Sequence, residues 1–169
     1  MKLKTNFLTF VAACSLSMGI IAQENSKSAK ILYNPDADAK TDISNAIASA
    51  KKENKHVFIQ IGGNWCGWCI AFDKKVNETD ELKKIFNENY VVYHLNYSQE
   101  NTNAEVLQEL GYPQRFGFPV FVILDSDGKR LHTQDSAYLE EGKGHSVKKV
   151  QDFLENWTVK AINPDKNNE

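Results

Sequence analysis

The chain has 169 residues, is 41% hydrophobic and 25% charged, and carries a net charge of −2. That is ordinary for a single domain that buries its core without metal or disulfide staples. A slightly acidic balance, with no basic face interleaved with aromatics, excludes nucleic acid as a partner. At the start, Lys2 and Lys4 precede a largely apolar run from Phe7 to Ala22, the pattern of a secretory signal cleaved after Ala22. Interrupted by Thr, Ser and Gly, the run is shorter than the ~20 apolar residues of a membrane span, so no transmembrane segment is expected in the mature chain. Val11-Ala12-Ala13-Cys14 resembles a lipobox, which leaves a lipoprotein anchored through Cys14 as the rival reading. Either way the expected location is periplasmic or extracellular. Removing residues 1–22 takes away two lysines and no acid, moves the net charge from −2 to −4, and leaves Cys66 and Cys69 as the cysteines of the mature chain.

Residues 23–39 read as an N-terminal extension, polar as far as Lys30, with a short strand at Ile31-Leu32-Tyr33. A domain is expected over 40–160, followed by a flexible tail over 161–169. Thr41 caps a helix with Ile43, Ala46, Ile47 and Ala50 on its apolar face. His56 to Ile61 is a strand, Cys66 to Lys75 a helix, and Thr79 caps a further helix with Leu82, Ile85 and Phe86 turned inward. Tyr90 to Leu95 is dense in β-formers and reads as a strand. Thr102-Asn103-Ala104-Glu105 has the form of a capping box, and Gly111 ends the helix it opens. Gly117 to Leu124 is a buried strand, turning at Asp125 to Gly128 into an antiparallel return over Lys129 to Gln134. Residues 135–144 read as a loop. Ser146 caps a last helix bearing Val147, Val150, Phe153, Leu154 and Trp157. This order favours an α/β layered fold with parallel pairing.

The chemistry concentrates in Asn64-Trp65-Cys66-Gly67-Trp68-Cys69. Cysteines three apart at a helix start share one face and can form a disulfide. Unpaired N–H groups and the helix dipole stabilise a thiolate on the first of them. A bridge over so short a loop adds little chain-entropy stabilisation, so redox chemistry is the favoured reading. An inert bridge and half a zinc site are the alternatives, and His56, His94, His132 and His145 are too scattered to complete a metal set.

The strand, the Trp-Cys-Gly-Trp-Cys stretch, the following helix and the later Phe118-Pro119 hairpin resemble the thioredoxin family over roughly residues 40 to 160. The setting is most similar to bacterial extracytoplasmic thioredoxin-like proteins. The resemblance implies a thioredoxin fold with a central mixed β-sheet flanked by helices. It implies a thiol–disulfide oxidoreductase acting on exported proteins, with Cys66 as nucleophile, Cys69 as resolving thiol, and a Cys66–Cys69 disulfide. Trp65, Gly67, Trp68 and Gln60 are the expected supports. A cis peptide before Pro119 and the backbone of Phe118 are the expected substrate groove. Partners are protein thiols or disulfides and a redox partner protein; no metal or organic cofactor is implied, and a monomer is expected. Gln60 stands where the family carries a buried acid, and glutamine cannot carry the resolving thiol's proton. Trp68 replaces the usual proline, and Phe118 is larger than the usual residue before the later proline. With no histidine between the cysteines, the lean is towards a reductant or isomerase-like role. The competing classes are a binding or chaperone-like module with a non-cycling disulfide, and copper handling by two thiolates.

Overall fold

Strand β1, His56–Gly62, is buried at every position, which requires neighbours on both edges and cover on both faces. Its edges pair with β2, Tyr90–Asn96, in parallel and with β3, Val120–Leu124, antiparallel. Strand β4, Arg130–Asp135, pairs antiparallel with β3 to complete the order β2-β1-β3-β4. This computed structural model describes residues 31–163. The expected leader with Cys14, the polar stretch to Lys30, and residues 164–169 of the expected tail lie outside the described residues.

Side-chain alternation along β1 splits the core into two layers. Val57, Ile59 and Ile61 join Val120, Val122 and Leu124 under helix α1, Ala39–Glu53, and helix α4, Ala104–Glu109. Phe58 turns the other way, towards helices α2, Gly67–Glu78, α3, Asp80–Asn89, and α5, Val147–Asn156. Its fully buried ring meets Phe72, Phe86, Tyr90, Phe121 and Phe153 at centroid distances of 4.6–6.2 Å. Gln60 and Gly62 lie on this same side of β1, so the aromatic layer gives way to a polar floor beneath the start of α2. No helix among the described residues is long and apolar enough to cross a membrane.

Several local expectations need correction. Ile31 to Tyr33 forms no strand; its backbone is held by a side chain. The α1 cap is Asp38, three residues before Thr41, whose N–H it accepts at 3.2 Å. There is no capping box at α4. Asn103 occupies the cap with φ +50° and makes no side-chain cap hydrogen bond; its Nδ2 donates instead to the Asn96 carbonyl at 2.7 Å. Strand β3 starts at Val120 rather than Gly117, because Gly117 has φ +86°, outside the extended region. Residues 135–144 are structured, with a 3-10 turn over Ser136–Leu139 and a small ribbon of β5, Glu140–Glu141, and β6, Gly144–His145. A short helix α6, Val159–Ile162, continues into the first residues of the expected tail.

Phe58 links one sheet to three helices, so Phe58→Ala is expected to lower the unfolding free energy by about 3–5 kcal/mol. Urea denaturation monitored by circular dichroism measures this.

Candidate active site

Cys66 is the N-cap of α2, with extended backbone, and its Sγ accepts the Cys69 N–H at 3.2 Å. The Cys66 and Cys69 sulfurs are joined in a disulfide, with Cα atoms 5.3 Å apart. Both cysteines are buried, but Cys66 retains 5% exposure and Cys69 none, so Cys66 is the residue nearer to solvent. The cysteine nearer to solvent is therefore also the one at the positive end of the helix.

Trp65 and Trp68 flank the pair and both stay exposed. The Trp65 indole N–H donates to the Tyr97 carbonyl at 2.7 Å, and its ring meets Phe118 edge-on at 5.5 Å. Gly63 permits this, because a Cβ there would strike the indole and the Tyr97 carbonyl oxygen. Phe118 also lies 4.7 Å from the Tyr97 ring and packs against the cluster of Tyr33, Cys66 and Cys69. The expected cis Phe118-Pro119 bond is thus present, with Phe118 beside the cysteines. Trp68 leans the other way, edge-on to His145 at 5.3 Å. Gly67 has open space around its missing side chain, so no steric requirement for glycine is visible there. Beside Trp65 lies a surface pocket of about 620 Å³, lined by Tyr97 and the 98–102 loop. Sequence reading missed it because its lining is ordinary loop composition.

Gln60 is fully buried beneath the pair, but its amide does not address a sulfur. Its Nε2 donates to the Cys69 carbonyl at 3.0 Å and to the Tyr33 hydroxyl at 2.6 Å. Tyr33 is fully buried and belongs to the same cluster as the cysteines. Burial raises its proton affinity far above that of an ordinary phenol; the Gln60 hydrogen bond opposes this and the Asp73 charge adds to it. Asn64 explains how this tyrosine is held. Its Oδ1 accepts both Leu32 N–H and Tyr33 N–H at 3.1 Å, and its Nδ2 donates to the Tyr33 carbonyl at 2.7 Å. Asn64 stood inside the motif read from sequence, yet no local pattern pairs it with a residue 31 positions earlier.

Residues 38–126 match the model of the thioredoxin-like family, which is over half of the chain. The chain belongs to the thioredoxin-like family. Among solved structures it resembles a disulphide isomerase from Xylella fastidiosa Temecula1, with TM-score 0.66 and 28% identity, covering 75% of this chain and 95% of that one. Among curated proteins this thioredoxin-like chain is 27% identical over 92 residues to disulfide bond reductase DsbH of Chlamydia pneumoniae, covering 51% of this chain and 55% of the relative. It is 35% identical over 46 residues to spermatogenesis-associated protein 20 of Mus musculus, covering 27% and 6%. The chain thus matches about half or less of the length of these curated relatives.

His145 is 4% exposed, and neither of its ring nitrogens has a hydrogen-bond partner among the described residues. Burial, reinforced by the charge of Lys75, pushes its proton affinity below the ordinary imidazole value of 6.5. The unfolded chain therefore takes up a proton that the folded chain resists. The stability contribution is complete above pH 6.5 and declines as pH falls below it. His145→Phe keeps the ring contacts with Trp68 and Phe72 but not the titration. Urea melts at about pH 7.5 and about pH 5 should show a smaller loss on acidification for the variant than for the wild type.

Proposed function

We propose that this protein is a thiol–disulfide oxidoreductase that acts on exported proteins. The observation that carries the reading is the Cys66–Cys69 pair at the start of α2, with Cys66 retaining slight exposure and Cys69 fully buried. The names of two similar proteins, a disulfide bond reductase and a disulphide isomerase, support the same chemistry. Export is supported by the leader-like composition of residues 1–22.

In the reduced protein the Cys66 thiolate attacks one sulfur of a substrate disulfide. A Cys66–substrate bond forms and the other substrate sulfur leaves as a thiolate that takes up a proton. Cys69 then loses its proton and attacks Cys66 Sγ, forming the internal disulfide and releasing the second substrate thiolate. Two electrons pass from the cysteine pair to the substrate, and a redox partner protein returns them. Exposed Trp65 and the Phe118 edge supply an apolar border on which an extended substrate segment can lie. The absence of histidine between the cysteines supports the reducing direction.

In Cys69→Ser, mixed disulfides through Cys66 are expected to accumulate on non-reducing gels and to vanish when Cys66→Ala is added. If nothing is trapped while Cys66→Ala still binds clients as the wild type does, the protein is a binding module with a non-cycling disulfide. Equilibration with glutathione or dithiothreitol buffers measures direction. A reduction potential below about −230 mV is expected, and a value near about −120 mV would reverse the assignment to an oxidant.

A further inference from the structure

The hydrogen-bond polarity around Gln60 carries a consequence for the buried sulfur. The Cys69 carbonyl can only accept, so the Gln60 group facing it is the NH2. The same NH2 donates to the Tyr33 oxygen at 2.6 Å, so that oxygen accepts and its own hydrogen points elsewhere. No other hydrogen bond from this hydroxyl is made among the described residues. A side chain placed on Gly62 would strike Cys69 Sγ and sit 3.0 Å from the Tyr33 oxygen, so sulfur and hydroxyl share the small volume that glycine leaves open. A disulfide sulfur is a weak acceptor, whereas a thiolate is a strong one.

We propose that Tyr33 is the hydrogen-bond donor that holds Cys69 as a thiolate while the mixed disulfide is resolved, and that Asn64 positions it there. This rests on the exchange reading above and adds the group that Gln60 cannot be. With Cys66 joined to a substrate sulfur, Cys69 gives its proton to water and the Tyr33 O–H bonds to the thiolate left behind. The Cys69 sulfur attacks Cys66 Sγ. The Cys66–Cys69 bond forms, the Cys66–substrate bond breaks, and the substrate sulfur departs as a thiolate that takes up a proton. Tyr33 itself stays protonated throughout, as its burial requires. The titratable groups that face it are Asp73 from α2 and His94 from β2, whose ring meets Tyr33 edge-on at 5.6 Å and whose Nε2 lies 3.7 Å from Asp73.

The test uses the reduced full chain and dithiobis(nitrobenzoate), an aromatic disulfide that releases one coloured thiolate at each step. In stopped flow the first release reports attack by Cys66 and scales with reagent concentration. The second reports resolution by Cys69 and does not. Tyr33→Phe keeps the ring and removes only the hydroxyl. Its second phase is expected to slow about tenfold near neutral pH, with the pH midpoint of that phase raised by about one unit. Asn64→Ala, which keeps the hydroxyl but releases the segment carrying it, should move the same midpoint in the same direction. A second phase with wild-type rate and midpoint in Tyr33→Phe overturns the proposal. If that variant does not fold, an unmoved midpoint in Asn64→Ala does so instead. A wild-type protein with no first phase would overturn the exchange reading itself, so the two failures are distinguishable.

Discussion

Burial of β1 on both faces constrains everything that follows in the chain. A strand with no solvent side must be apolar along most of its length, and Val57-Phe58-Ile59 and Ile61 meet that demand. Such a strand is also fixed in register by two neighbours, so its C-terminal end is a rigid place from which to launch a helix. Cys66 is positioned by this arrangement. It caps α2 four residues beyond the end of β1, and its sulfur takes the role an oxygen usually plays in a cap.

Polar residues in this frame are costly unless every group finds a partner. Gln60 is the strongest case, a glutamine in the middle of a fully buried strand. Its Nε2 donates to the Cys69 carbonyl and to the Tyr33 hydroxyl. Neutral groups thus occupy the floor of the site. This avoids the penalty of a buried carboxylate but removes a proton carrier from beneath the inner sulfur.

The layered α/β architecture and the cysteine helix were legible from sequence because each has a local signature, whereas the cis peptide before Pro119 was expected only from the family resemblance. Apolar runs mark β1 and β3, and the Cys-x-x-Cys spacing marks the start of α2. The caps of α1 and α4 were misplaced because Asp, Thr and Asn are chemically equivalent cap candidates, and tertiary contacts choose among them. Asn103 shows this directly, since it holds the cap position in a left-handed conformation while its Nδ2 donates to the Asn96 carbonyl of β2. Tyr33 read as part of a strand because Ile-Leu-Tyr is a strand-like triplet. Its actual position depends on a side-chain clamp from Asn64, a long-range pairing with no periodicity to betray it.

The clamp also changes how far the reactive centre extends along the chain. The segment shared with the family begins at residue 38, five positions after Tyr33. Tyr33, which packs with Cys66 and Cys69, is therefore contributed from outside the matched segment. Comparisons confined to that segment are blind to it, and any shortened version of the protein that starts at the domain's first helix lacks it.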